Sequence, residues 1–413
     1  MPAFTEKFIA ELEAQQGHFR AVFSADVCSD LEERLRARIE ANWHPLKVQS
    51  SDWRTQNPEL KTQNSDTVFA IDGSEATRNF SNASWLLICQ GLLLGPETEV
   101  PSLQLRLVPG NVPSAVVDSY CGRLMRWLEL RLALDHIGLL SGHTLILDGS
   151  LYSTLPHLLY PLDALHNQLG CTADADLPIR VLEAYLDLFD AARKQDVLLL
   201  GISKTTQDRV LTHTLANLPD DLDRISVDMA EQAEKEATRI PPDAEALDRW
   251  LDKAAGFSTP VLLGLHSFGR RRETLLSEPE AIAESFAACS SYSRGRLETI
   301  VQRLRRAPAI ATFHIRFVDG DDCVRVDVPA YAVGCEDTLL DFSSGLGPVE
   351  PLEPILRLLQ ATYGGPTVYN APLYAVDRQV RLSNDMVDGA FLSILRSIVK
   401  PDIRYNRSAR RFL

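Results

Sequence analysis

The chain has 413 residues, 42 basic and 56 acidic side chains, a formal charge of −14 and 45% hydrophobic content, the balance of a folded protein able to bury a sizeable core. Disordered and collagen-like classes are excluded, and the length suits two or three domains or one elaborated α/β domain. No run reaches the ~18 apolar residues of a membrane span; the most apolar stretch, Trp85 to Leu94, is broken by Gln90. The first sixteen residues place acidic side chains in an amphipathic pattern, unlike a secretory signal, so a cytoplasmic location is expected. Seven cysteines, at 28, 89, 121, 171, 289, 323 and 335, are scattered and never spaced C-x-x-C, which predicts free thiols, mostly in the core.

In chain order, residues 1–50 read as an N-terminal helical arm, with Phe8, Ile9, Leu12 and then Leu31, Leu35, Ile39 at helical spacing before His44-Pro45. TVFAI from Thr67, WLLICQGLLL and SLQLRLV read as three consecutive strands separated by turn formers, an antiparallel meander. A helix from about Ser114 to Leu139 follows, then a strand HTLILD (143–148), a helix ending at 179–195 and a strand VLLLGIS (197–203). Residues 205–258 are acidic and predict a solvated helical insertion, followed by an apolar strand at 259–265. Arginines at 270, 271, 272, 294, 296, 303, 305 and 306 form a local basic patch. The net acidity opposes nonspecific nucleic-acid binding by the whole surface but leaves such a local channel open. Residues 309–333 flank Asp319-Gly320 with apolar alternation and predict a β-hairpin. A helix at Leu352–Thr362, a Gly364-Gly365-Pro366 break, a helix at about Met386–Ile398 and a basic tail complete the chain.

The order βββαβαβ over residues 65–204 is that of a ribonuclease H-like mixed sheet. In that fold, carboxylates at the ends of the first and fourth strands and on the first helix converge. The sequence supplies Asp72 in FAIDGS, Glu129 in LMRWLELRL and Asp148 in LILDGS. Mg²⁺ and Mn²⁺ prefer such oxygen donors, and two ions about 3.5–4 Å apart activate water and stabilise the leaving oxygen of a phosphodiester. Taken singly, each Asp-Gly-Ser also reads as an ordinary strand-ending turn, and Glu129 as a solvated helix residue. Glu129, however, sits among Met125, Leu128 and Leu130, where an unpaired carboxylate is costly. The conjunction of all three favours a metal site. Ser74 and Ser150 are candidates to hydrogen-bond these carboxylates, and His136 and His143 read as structural.

With FAIDGS, the Glu129 helix, LILDGSL, GISK ending in Lys204, TPVLLG, the 309–333 hairpin and a C-terminal Tyr motif on the page, the sequence resembles the NurA nucleases across most of residues 65–385. The resemblance implies a Mn²⁺- or Mg²⁺-dependent nuclease acting 5′→3′ on DNA. It also implies a homodimer docked on a HerA-type hexameric ATPase, in DNA end processing or phage defence. Where the family motif carries Ala-His, this chain has Val376-Asp377 within YNAPLYAVD. Asp377 is a fourth candidate ligand, or a helix N-cap if the register shifts. Lys204 could neutralise a scissile phosphate or be a solvated strand-end lysine; Tyr369 could stack on a base, bond a phosphate or be simply buried.

Arg270, Arg271 and Arg272 are the candidate DNA contacts, doubled in a dimer, and the tail from Lys400 to Arg411 is a candidate for docking or DNA. Walker A and G-x-G-x-x-G motifs are absent from the sequence, so ATP-driven movement would come from the partner ATPase. A sugar-kinase or actin-like ATPase would need a duplicated domain and a second Gly-rich loop, and neither is seen. The remaining alternative is a catalytically weakened DNA-clamp or adaptor subunit, for which the changed His position is the sole support.

Overall fold

The computed structural model describes residues 2–17, 29–46, 67–108, 110, 112–162, 172–204, 207–218, 240–268, 270–341 and 344–399. Its strands are β1 (Trp43–His44), β2 (Val68–Asn79), β3 (Trp85–Gly95), β4 (Thr98–Val108), β5 (Thr144–Asp148), β6 (Leu198–Ser203), β7 (Gly256–Ser258), β8 (Val261–Leu263), β9 (Ile310–Arg316), β10 (Val324–Pro329) and β11 (Ser344–Leu346). They form one mixed sheet in the order β1-β7-β9-β10-β6-β5-β2-β3-β4, with β8 also on β9 and β11 on β8.

The half β4-β3-β2-β5-β6 is the ribonuclease H-like arrangement. β2, β3 and β4 pair antiparallel, and β5 then joins β2, and β6 joins β5, in parallel. Parallel neighbours need a crossover, supplied by the helices Ser114–Asp135 and Leu177–Lys194. Both pack on the sheet face that carries Phe69, Ile71, Leu145 and Leu147. The opposite face, with Ala70, Ile146 and Leu200, is covered by the helices Glu353–Thr362 and Ala371–Val380. β3 is buried on both faces, which its near-continuous apolar run requires, whereas β4 alternates exposed and half-buried residues as an edge strand does.

Three expectations change. The 309–333 segment does form an antiparallel pair, but Asp319-Gly320 lies inside a loop of residues 317–323 instead of joining the strands directly. Every residue of β9 and β10 is buried, because this pair extends the main sheet beyond β6 and is covered on both sides. The second half of the expected N-terminal arm is not an arm. Its helix Ser29–Ala41 buries Leu31, Leu35 and Ile39 in the main core, and β1 adds to the sheet edge. The acidic 205–258 segment is not simply solvated either. Its helices Val210–Ala216 and Asp243–Trp250 bury Leu211, Leu215, Ala246, Leu247 and Trp250, and residues 219–239 lie outside the described residues. The buried Asp243 carboxylate accepts from the amides of Leu211 and Thr212, both at 2.9 Å, and from the Thr212 hydroxyl at 2.8 Å. Its charge therefore serves an internal cap.

A second buried network holds the turn after β5. Asp327 Oδ2 accepts from the Leu151 amide at 3.0 Å and from the Ser150 hydroxyl. Asp327 Oδ1 accepts from Arg325 Nε at 2.9 Å and from the Thr312 hydroxyl at 2.6 Å. Arg325, which is 2% exposed, also pairs with Asp208. The chain leaving Asp148 is thus fastened to β10 from beneath. Asp327→Ala strands a buried guanidinium and an amide, so a loss of about 3–5 kcal/mol is expected from the shift in urea midpoint; an unchanged midpoint would show that Arg325 and Asp208 suffice.

Candidate metal centre

β2 and β5 are parallel, with Ile71 opposite Leu147, so the next residues, Asp72 and Asp148, stand side by side where that ladder stops; β2 itself runs on to Asn79 against β3, so Asp72 lies inside the strand and does not end it as expected. Asp148 in turn stands opposite Ile202 of β6, and two residues later the Lys204 ammonium comes back to Asp148 Oδ2 at 3.5 Å. Side-chain alternation points Asp72 away from the crossover helices and towards the helix Ala371–Val380.

Glu129 approaches from the other face. It projects from the middle of the Ser114–Asp135 helix, 2% exposed, and its carboxylate passes so close over Gly73 that a Cβ there would lie 2.6 Å from Oε1. Gly73 is the opening in β2 that lets this carboxylate reach the strand end. Gly149, at φ +97° with a virtual Cβ 3.0 Å from Arg126, turns the chain sharply after Asp148.

Arg126, absent from the sequence-derived site, joins the parts. Its guanidinium lies 2.7 Å from Glu129 Oε2 and donates to the Asp148 carbonyl at 3.1 Å. The contact to Glu129 is off the hydrogen-bonding axis, so Oε2 remains buried without a hydrogen-bond partner. The signal was available: Arg126 is three residues before Glu129 on one helical face.

Asp377 is a correction in detail. It is not an N-cap; Asn370 caps the Ala371–Val380 helix by accepting from the Leu373 amide at 3.1 Å, and Asp377 lies in its later part, paired with Arg381 at 2.8 Å. The Asn-x-Pro signature of the helix start was legible at 370–372. The structure brings Asp377 into the field of Asp72. Tyr369, just before the cap, lies beneath Lys204, whose ammonium is 5.1 Å from the ring centroid, and its buried hydroxyl has no hydrogen-bond partner.

Electrostatics follow from this crowding. Burial, then repulsion from Asp148 and Asp377, pushes the Asp72 carboxyl up to about 7 against a hydrogen bond from the Gly73 amide and the charge of Lys204. Burial also pushes Glu129 up to about 7, opposed by Arg126 and reinforced by Asp72, Asp148 and Glu75. Burial and the same aspartates push the Tyr369 phenol up as well. A set of hard oxygen donors with too few counter-charges, one of them an orphaned buried oxygen, fits a divalent cation. The carboxylates do not form a trio with ligand atoms all within 4.8 Å of one another; among the described residues Glu75, Cys89 and Cys121 do.

Part of the expected basic patch is spent internally. Arg296 pairs with Glu183, Arg303 with Asp187 and Asp190, and Arg294 with Glu284 and Glu298. Arg271 stacks over Tyr160 at 4.4 Å, Arg272 is exposed, and the side chain of Arg270 lies outside what is described. The tail 400–413 is likewise outside the described residues. Cys89, Cys121, Cys289 and Cys323 are buried free thiols and Cys335 a half-buried one; Cys28 and Cys171 lie outside the described residues. No helix among the described residues is long and apolar enough to cross a membrane.

The sequence profile of the NurA domain matches residues 66–381. Among solved structures, the NurA nuclease from Sulfolobus solfataricus is 14% identical with a TM-score of 0.55, over 96% of this chain and 97% of that one. A NurA bound to dAMP and manganese is 11% identical with a TM-score of 0.53, over 94% and 97%. A NurA with manganese is 12% identical with a TM-score of 0.51, over 93% and 98%. No curated protein matches the sequence.

The raised Asp72 value has a stability consequence. A folded value near 7 against an ordinary ~3.9 means the folded state binds the proton more tightly, so stability present at acid pH is lost as pH rises through 7. Without divalent cations, Asp72→Asn is expected to raise the melting temperature at pH 8 by roughly 2–5 °C, with the gain shrinking towards pH 5. A pH-independent effect, or a drop at pH 8, would contradict the charge-crowding account.

Proposed function

The chain belongs to the NurA nuclease family, and from that premise we propose that it is a divalent-metal-dependent deoxyribonuclease. The observation that carries the reading is that Asp72 and Asp148 stand side by side where the parallel ladder of β2 and β5 stops, with the Glu129 carboxylate passing over the adjoining Gly73. Asp72, Glu129, Asp148 and Asp377 would hold two Mn²⁺ or Mg²⁺ ions. When bound, these supply Lewis acidity that activates a water and balances charge on the leaving oxygen.

The chain's own groups do the rest. Lys204 offers an ammonium to a non-bridging phosphate oxygen beside Asp148. Tyr369 holds the lysine over its ring and turns an unpaired hydroxyl towards the same place. Arg126 keeps the Glu129 carboxylate against the strand end. An open cleft of about 410 Å³ runs between the Ser114–Asp135 helix and residues 153–158, lined by Asp118, Arg123, Arg126, Ser153, Thr154 and His157; it gives a strand a polar path along the helix that bears Glu129. Arg271 and Arg272 extend the positive surface. The working assembly we infer is a homodimer on a HerA-type hexameric ATPase, acting 5′→3′ at DNA ends, in repair or phage defence; this rests on family resemblance.

Asp72→Ala and Asp148→Ala are expected to lower Mn²⁺-dependent cleavage of labelled linear DNA by at least ~10³-fold, the scale of losing a water-activating ion, with unchanged circular dichroism. Near wild-type cleavage in either variant would overturn the assignment. Lys204→Ala is expected to retain metal binding while losing roughly 10²-fold in rate, as for one charge-stabilising donor. A full-rate Lys204→Ala variant would remove Lys204 from the reaction.

A further inference from the structure

Outside the carboxylate centre, the two thiols Cys89 and Cys121 face each other with their sulfurs 3.6 Å apart, both 0% exposed. Cys89 belongs to β3 and Cys121 to the Ser114–Asp135 helix. Glu75 of β2, directly opposite Cys89 in the ladder, brings its carboxylate to the same spot. One ligand atom from each of the three residues lies within 4.8 Å of the other two.

We propose that Glu75, Cys89 and Cys121 form a second metal site, distinct from the carboxylate centre and selective for a thiophilic cation such as Zn²⁺. The dimensions fit. Tetrahedral Zn²⁺ with Zn–S bonds of about 2.3 Å separates two sulfurs by about 3.8 Å, so the observed 3.6 Å needs almost no adjustment. A disulfide would need the sulfurs to close to about 2.05 Å, and it would leave the aim of Glu75 unexplained. The donor set sorts metals by softness: two thiolates draw Zn²⁺ or Co²⁺, whereas the all-oxygen centre draws Mg²⁺ or Mn²⁺. Access comes from Glu75, exposed at the rim while both cysteines are buried, with water as the fourth ligand. Binding would release the two thiol protons. The site would tie β2, three residues beyond Asp72, and β3 to the helix about two turns before Glu129, fixing the helix on which one active carboxylate rides.

The test uses the full chain, reduced, stripped of metal and titrated with Co²⁺. One equivalent per chain is expected to give a thiolate-to-cobalt charge-transfer band in the near ultraviolet, displaced by Zn²⁺. Carboxylate ligands cannot produce that band, and Asp72→Ala is expected to leave it unchanged, so the result is independent of the nuclease reading. Cys89→Ala with Cys121→Ala is expected to abolish the band. Glu75→Ala, at an exposed position that leaves packing intact, is expected to weaken Co²⁺ affinity at least tenfold while the band persists at saturation. No band in the wild type, a band that survives loss of both cysteines, unchanged affinity in Glu75→Ala, or a Cys89–Cys121 disulfide found by mass spectrometry in protein purified without reductant would each overturn the proposal.

Discussion

Repulsion among carboxylates held in a poorly solvated place is the constraint on which the site is built. Burial first, and the neighbouring carboxylates after it, push Asp72 and Glu129 up to about 7 against the charges of Lys204 and Arg126. Something rigid must hold them together. The register between β2 and β5 does so for the two aspartates, because sliding one strand against the other would break a ladder buried on both faces. Arg126 and Lys204 offset part of the charge without filling the gap between the carboxylates.

The same constraint explains why distant stretches of chain meet here. A four-carboxylate centre open to solvent would lose much of its electrostatic character. The sheet end is walled on one face by the Ser114–Asp135 helix and on the other by Ala371–Val380, whose Leu373 and Val376 pack into the core that also holds Ala70 and Ile146. Ser74 Oγ accepts from the Leu382 amide at 2.9 Å, fixing the exit of that second helix to the strand that bears Asp72. The turn after Asp148 is held from below by Asp327. The proposed site and the structural polar groups are therefore coupled: the buried charge on β10 secures the turn that follows the half-buried Asp148 of β5.

How much of this was legible in the sequence depended on whether the signal was local. Asp72 and Asp148 could be read because each follows an apolar run and precedes glycine, and because the order of elements sets the two runs parallel; that β2 continues past Asp72 to Asn79 was not legible, since Gly73 and Ser74 look like a turn. Glu129 could be read from the apolar helix around it. Arg126 was overlooked because an arginine on a helix is ordinarily solvated, and only the tertiary structure places it between Glu129 and the Asp148 carbonyl. Asp377 was chosen, but its helix was not drawn, although Asn370 and Pro372 announce it. The buried strands β9 and β10 looked like an alternating hairpin because Thr312, His314, Arg316, Arg325 and Asp327 are polar. Their burial rests on partners as far as 177 residues away in sequence, as Ser150 is from Asp327, which no local pattern carries.

The arginines carry the argument one step further. Counted along the chain, residues 270–306 look like the place where DNA would bind, yet Arg294, Arg296 and Arg303 are matched to carboxylates on neighbouring helices. Pairing of that kind removes the field a polyanion would feel beyond a Debye length of about 8 Å. A chain of charge −14 then attracts DNA only where cations stand near one another without full pairing. Arg123 and Arg126 line a cleft that Asp118 and His157 share, Arg126 being matched to Glu129, and Lys204 is shared between Asp148 and the face of Tyr369. Arg123 stands on the helix that carries Glu129, and Lys204 beside Asp148, so the proposed path for DNA and the proposed metal centre rest on neighbouring elements.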